Sequence, residues 1–134
     1  MATRSNIGVM HGDVCKYIYC HWDGYPEHTG KILLEHYGSV KANQLISLGN
    51  LSVLGANIGT KHSFDGQQDS SECTFYGRDR GEEDQQYSVA HSLNELLEYA
   101  EEYVYIMKDG VWYMCEGTEL RLLSDVLASL EEVV

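Results

Sequence analysis

Asp109-Gly110 lies between two runs, Tyr103 to Met107 and Val111 to Cys115, that are rich in aromatic and β-branched residues. Asp-Gly in that setting is a strong hairpin signal, because both central residues of the tightest hairpin turn need positive φ. The pair commits the C-terminal third of the chain to antiparallel strands. A second hairpin is predicted at the other end. Asn6 to Met10 reads as a strand, and His11-Gly12-Asp13 supplies turn residues. Val14 to Trp22 then alternates Lys16, Ile18, Cys20 and Trp22 against Cys15, Tyr17, Tyr19 and His21.

Helical periods separate these hairpins. Thr29 is placed to cap a helix carrying Ile32, Leu33 and Tyr37, which ends near Gly38. Ser39 is placed to cap a second helix from Val40 to Leu48. Leu51 to Gly59 reads as irregular or as one short helical turn, Lys61 to Glu72 as a polar mobile loop, and Cys73 to Tyr76 as a short strand. Gln86 to Ala90 suggests an edge strand. Ser92 with Glu95 forms a capping box for a helix running to about Glu101. Thr118 is placed to cap a last helix bearing Leu120, Leu123, Leu127 and Leu130. Hairpins outnumber β-α-β crossovers, so the expected fold is α+β: an antiparallel sheet built from hairpins, with about four helices packed on it. At 134 residues the chain fits one domain, 1–134.

Charge is distributed unevenly. Residues 81–134 hold 13 acids against 2 bases, and residues 1–80 hold 8 acids against 7 bases; the total is −12. Such a surface repels nucleic acid and membrane phosphate and draws basic protein surfaces toward it. The predicted partner is a protein with a basic surface, not nucleic acid and not a membrane; self-association stays open. No stretch reaches the roughly 18 apolar residues of a membrane span. The opening Met1-Ala2-Thr3-Arg4-Ser5-Asn6 lacks the apolar run of a secretory signal, which predicts a cytosolic protein. Cys15, Cys20, Cys73 and Cys115 are then read as buried, reduced thiols.

Four groups of residues carry candidate chemistry. The first is Cys20-His21-Trp22-Asp23-Gly24-Tyr25-Pro26-Glu27-His28, where Trp22, Tyr25, His21 and His28 can wall a small-molecule site. The bland alternative has Trp22 and Tyr25 packed under the turn, with Asp23 holding it through local backbone bonds. Cys20, His21, His28 and His36 lack a zinc-ligand spacing, so no metal is expected. The second group is Phe75 to Glu82, where glycines bracket Arg78 and Arg80. Two guanidiniums there can grip an anion bidentately, or they can pair with Asp79, Glu82, Glu83 and Asp84.

The third group is acidic: Glu95, Glu98, Glu101 and Glu102, with Glu131 and Glu132. Glu95, Glu98 and Glu102 fall on one face of the predicted helix with no lysine between them. The fourth is Tyr103, Tyr105, Trp112 and Tyr113, which serve either as cross-strand pairs or as a protein-binding surface. No Gly-x-Ser-x-Gly, His-Glu-x-x-His or Gly-x-Gly-x-x-Gly motif occurs, so no catalytic residue and no cofactor are assigned.

Tyr19-Cys20-His21-Trp22-Asp23-Gly24-Tyr25-Pro26 with His28, Gly30-Lys31-Ile32-Leu33-Leu34 and His36-Tyr37 resembles a family of small proteins of tailed bacteriophages and prophages. Met1 to Ser5, Phe75 to Glu82 and Met107 to Tyr113 are similar as well. The likeness covers most of the chain, with a shorter loop around residues 61–72. It carries no activity and no site residue with it. It implies an accessory protein acting inside an infected or lysogenic bacterial cell, where small acidic proteins inhibit host defences by analogy.

The leading expectation is therefore a non-enzymatic inhibitor that offers a basic host factor an acidic surface resembling nucleic acid. The second is a nucleotide-binding or sequestering protein using Arg78, Arg80 and the Trp22/Tyr25 loop. The third is a hydrolase using His21, Asp23 or His28.

Overall fold

In a computed structural model the structure describes residues 2–61 and 71–132, with side chains described as far as residue 130. Most of the predicted 61–72 loop and the side chains of Glu131 and Glu132 lie outside the described residues.

One mixed sheet of eight strands organises the molecule. Its strands are β1 (Ser5–His11), β2 (Val14–Cys20), β3 (Leu51–Val53), β4 (Thr74–Phe75), β5 (Ser88–Ala90), β6 (Tyr103–Lys108), β7 (Val111–Glu116) and β8 (Glu119–Leu122). The order across the sheet is β4-β3-β2-β1-β6-β7-β8, and β5 pairs with β2 beside β3. The α+β class holds, but the expected antiparallel sheet does not. β1 and β6 run parallel, with Ile7 opposite Tyr105, and β2 meets β3 in parallel at Cys20 and Leu51. Hairpin signals report only neighbours in sequence. The free edge of β1 is filled by a strand from the far end of the chain, which arrives after a crossover.

The hairpins form at the expected turns. Asp109 (φ 53°) and Gly110 (φ 79°) both adopt positive φ, as a type I′ turn requires. A third hairpin closes through Gly117-Thr118, pairing Glu116 with Glu119. This corrects the assignment of Thr118 as a helix cap: Glu119–Leu122 is a strand, and the last helix begins at Leu123.

Helices α1 (Lys31–His36), α2 (Ser39–Ser47), α3 (Leu93–Glu98) and α4 (Leu123–Glu132) complete the fold, together with a π-helical turn at Pro26–Gly30. The turn makes Thr29 an internal residue rather than a cap. Alternation along the strands sorts the core into two clusters. Ile7, Ile18, Tyr105 and Met107 face one way and share a cluster with Leu33, Leu45 and Leu123 of α1, α2 and α4. Cys15, Val104 and Ile106 face the other way and share a smaller cluster with Leu96 of α3. Thus α3 and α4, the two acidic helices, lie on opposite faces of the sheet. Cys15, Cys20 and Cys73 are buried, Cys115 is half-buried, and all four thiols are free. Among the described residues, no helix is long and apolar enough to cross a membrane.

Candidate functional site

The segment after β2 is the most constrained part of the surface. The N–H groups of His21 and Trp22 donate to the carbonyls of Leu51 (3.1 Å) and Ser52 (3.0 Å), so β2 is held to β3 up to the turn. Asp23 then takes φ 54°, a left-handed conformation that costs a non-glycine residue energy. Gly24 follows, and its N–H donates to the Thr3 carbonyl at 2.8 Å. A Cβ on Gly24 would lie 2.7 Å from the Ser5 Cβ and 2.9 Å from the Thr3 oxygen, so only glycine fits. The Thr29 hydroxyl donates to the Asp23 carbonyl (2.8 Å), and the buried Tyr105 hydroxyl donates to the Gly24 carbonyl (2.6 Å).

A strained residue, a π-helical turn and five hydrogen bonds together hold this loop. Such features gather at functional sites. The loop presents Trp22, 44% exposed, and Tyr25, 37% exposed, rather than packing them beneath itself. Asp23 acts on the turn through its backbone: its carbonyl is the acceptor that Thr29 uses.

Beside this loop, Tyr19 and His21 share one face of β2. The Tyr19 hydroxyl and His21 Nδ1 share a hydrogen bond at 2.6 Å, and the Trp22 ring meets His21 edge-on at 4.7 Å. Burial raises the Tyr19 pKa above the ordinary tyrosine value; the Arg4 charge opposes this, while Glu101 and Tyr76 add to it. Asn50 ties this group to the segment that follows β4. Its side-chain oxygen accepts from the Tyr19 N–H (3.0 Å), its carbonyl accepts from the Tyr76 N–H (3.1 Å), and its Nδ2 donates to Gln85 (3.0 Å). The Arg80 guanidinium lies 6.0 Å from the centre of the Tyr76 ring. Asn50 thereby links Tyr19, the partner of His21 in the first sequence group, to Tyr76, the neighbour of Arg80 in the second. Among the described residues, no carboxylate completes a triad on His21, and no three His, Cys, Asp or Glu side chains converge as metal ligands. His28 is separate: its ring lies 6.1 Å from Tyr25, and its buried Nε2 has no hydrogen-bond partner among the described residues.

Arg78 faces inward. Its Nε donates to Asp79 at 2.9 Å, Nη1 to the carbonyls of Ile58 (3.0 Å) and Gly59 (3.2 Å), and Nη2 to the Cys73 carbonyl (3.1 Å). The guanidinium also covers the Phe75 ring at 4.6 Å. Asp79 in turn accepts from the Phe75 N–H at 2.8 Å. This planar fork staples residues 58–59 to β4, a task that suits arginine and not lysine. Arg80 is half-exposed and pairs with Glu82 at 3.0 Å. The cleft of about 560 Å³ beside Gly77 and Arg78 is rimmed by Glu82, Glu83 and Asp84, which disfavour an anion. A groove of about 490 Å³ between α1 and α4, walled by Leu34, Leu127, Ala128 and Leu130, takes in Glu27 of the first sequence group but none of Trp22, Tyr25, His21, His28, Arg78 and Arg80.

The acidic residues divide. The serine half of the capping box forms, with the Glu95 N–H donating to Ser92 Oγ (3.1 Å); the Glu95 carboxylate accepts from the N–H of His91 (3.2 Å), one residue before the cap. However, α3 ends at Glu98, with Tyr99 as its C-cap, so Glu101 and Glu102 leave the helix and the expected single-face row stops at Glu98. The Glu101 N–H donates to Asn6 Oδ1 at 2.8 Å. Glu95, Glu98 and Glu102, within four residues of Tyr99 in the chain, are exposed, and Tyr99 itself is 77% exposed. Of the aromatic hairpin, Tyr105 and Trp112 are buried, and Trp112 Nε1 donates to the Tyr37 carbonyl at 2.8 Å.

Sequence reasoning passed over Tyr19, Tyr99 and Arg4 as site residues. The signal for Tyr19 was present, since it shares its strand parity with His21. Comparison with protein-family models, curated proteins and solved structures gives no match.

Proposed function

We propose that this protein is a non-enzymatic binding protein, of the phage accessory type, that captures and inhibits a host factor through that factor's basic surface. One observation carries the reading: Tyr99 stands out from the end of α3 among the exposed carboxylates of Glu95, Glu98 and Glu102, and among the described residues none of these carboxylates has an ion-pair partner. An exposed aromatic anchor ringed by uncompensated charge suits a partner that brings lysines and arginines, as a nucleic-acid-binding cleft does. In such a complex the carboxylates would take the part of phosphates. Because α4 lies across the sheet, the contact surface is the α3 side alone. The test is capture of a basic protein from infected or lysogenic cells, followed by binding measurements with the purified partner. Affinity should fall steeply with salt and be lost in E98K/E102K and in Tyr99→Ala. Salt-indifferent binding, or binding unaffected by these substitutions, refutes the reading.

A second reading has its own support. Trp22 is exposed beside the Tyr19–His21 pair, and Asn50 links Tyr19 to Tyr76, whose ring lies 6.0 Å from the Arg80 guanidinium; a nucleotide would use the first group to stack its base and the guanidinium to hold its phosphate. Calorimetry with cyclic and linear nucleotides tests it. Heats that vanish in Trp22→Ala and Arg80→Ala support it, and a panel giving no heat and no change in melting temperature excludes it.

A further inference from the structure

β8 is the exposed edge of the sheet. Among the described residues it pairs only with β7, and α4 turns away from it to pack on β7 and on the Pro26–Gly30 turn. The opposite edge, β4, is only two residues long, a common protection against edge-to-edge pairing. β8 has four residues, Glu119-Leu120-Arg121-Leu122, with no proline, no lysine and an unbroken register. Its apolar side continues a strip across the neighbouring strand, where Tyr113 lies opposite Leu122 and Cys115 opposite Leu120. Leu122 is 40% exposed.

The charges on β8 select its occupant. Opposed residues of an antiparallel pair lie on the same face, so a two-fold pairing of β8 with itself must place some residue opposite its own copy. Centring on Glu119 sets carboxylate against carboxylate. Centring on Arg121 sets guanidinium against guanidinium. Centring on Leu120 sets leucine against leucine and Glu119 against Arg121, twice. Centring on Leu122 also opposes leucines, but it sets Arg121 against Leu123, the first residue of α4, and leaves Glu119 without a cation. The hydrogen bonds agree with the Leu120 register. Gly117-Thr118 is a two-residue turn, so the flanking pair Glu116 and Glu119 exchange their bonds; Leu120 and Leu122 then turn their N–H and C=O groups outward, as a Leu120-centred ladder needs. Within one chain, Glu116 and Glu119 are directly opposed, and Arg121 reaches Glu116 at 2.7 Å. The arginine of a second copy would bring a counter-charge to Glu119.

We infer that β8 is a self-association edge, and that two copies of this chain join antiparallel about Leu120 to extend the sheet across a two-fold axis. The partner is a second copy because only the self-paired strand supplies a cation to each Glu119 while keeping the leucines on one face. The contact is smaller than the ~1,200 Å² of the smallest stable interfaces, so the dimer is weak and populated at high protein concentration. Each copy carries −12, so added salt should tighten the dimer by screening the overall repulsion.

Sedimentation equilibrium on the whole protein, from a few micromolar to several hundred micromolar, tests this. The expected result is a monomer–dimer equilibrium that strengthens with salt. Glu119→Arg leaves an opposite-charge pair with Glu116 inside the chain but sets arginine against arginine between copies, so it should weaken the dimer by about tenfold or more without lowering the melting temperature. E119R/R121E reverses both charges and should restore the dimer. A wild-type protein that stays monomeric throughout, or a dimer indifferent to Glu119→Arg, overturns the inference. Because host-factor binding should weaken with salt and this dimer should strengthen, the two proposals fail separately.

Discussion

Tyr105 and Gly24 are joined by a 2.6 Å hydrogen bond from a buried phenol to a backbone carbonyl, reaching from the middle of β6 to the strained loop after β2. Burial raises the Tyr105 pKa well above the ordinary tyrosine value, so the proton that makes this bond stays in place far into the alkaline range. Tyr105→Phe should remove the donor while keeping the ring. The Gly24 carbonyl is then left unpaired, at a cost of about 1–3 kcal/mol in urea unfolding. Faster hydrogen exchange at residues 22–29 should accompany the loss. Unchanged exchange there would show that the tether does not hold the loop.

Asp23 should tolerate substitution by backbone preference and not by charge. At φ 54°, Asn or Gly should fold within about 0.5 kcal/mol of the wild type, whereas Val should cost about 1–3 kcal/mol. If Asn were as costly as Val, the carboxylate itself would be what matters.

The Arg78–Asp79 pair should behave as a buried ion pair, since its side chains are 14% and 0% exposed. Arg78→Met leaves the Asp79 charge buried and three backbone carbonyls without their donor, and should cost about 3–5 kcal/mol. Arg78→Lys should rescue little of this, because one ammonium cannot reach the carbonyls of Ile58, Gly59 and Cys73 together. The double variant R78M/D79N should be less destabilised than Arg78→Met alone. Chemical denaturation of the three variants decides it.

Alkaline pH should unfold the protein through its core thiols. Burial pushes Cys15 and Cys20 from 9.0 up to about 12, and Cys115 up to about 11. These folded-state values are raised, so the stability they contribute is fully present below pH 9.0. It is lost as pH rises toward the folded-state values, because only the unfolded chain releases its protons in between. The slope is about 1.4 kcal/mol per pH unit for each such thiol. Cys20→Ala should cost about 1 kcal/mol at neutral pH and yet flatten the alkaline loss by one proton. Urea midpoints measured from neutral pH upward test this, and parallel curves for the two proteins would refute it.

Much of the local structure was legible in the sequence. Asp109-Gly110 and Gly12-Asp13 mark their hairpins, and Ser92 caps its helix by accepting from the Glu95 N–H as predicted. β8 was misread because Leu120, Leu123, Leu127 and Leu130 imitate a helical stripe, although Leu120 belongs to a strand paired with Cys115. β3 was missed because Gly55 and Gly59 punctuate its segment. Gly55 is there for close approach, since an added Cβ would collide with the Ser71 backbone. The parallel pairing of β1 with β6 has no local signal at all. At the candidate site, strand parity already put Tyr19 beside His21. The inward turn of Arg78 depends on carbonyls nineteen and twenty residues earlier in the chain, which no spacing rule reports.

β1 takes its two neighbours from very different times in the life of the chain. During ribosomal synthesis Ser5–His11 and Val14–Cys20 can close as a hairpin early, but the other side of β1 waits for Tyr103–Lys108. Until then a nascent chain exposes a ladder carrying Ile7 and Val9 with nothing to satisfy it, the condition under which chaperones are recruited and neighbouring chains aggregate. Tyr103–Lys108 thus works as a clasp, and a chain truncated before it should be captured by the folding machinery or lost to proteolysis.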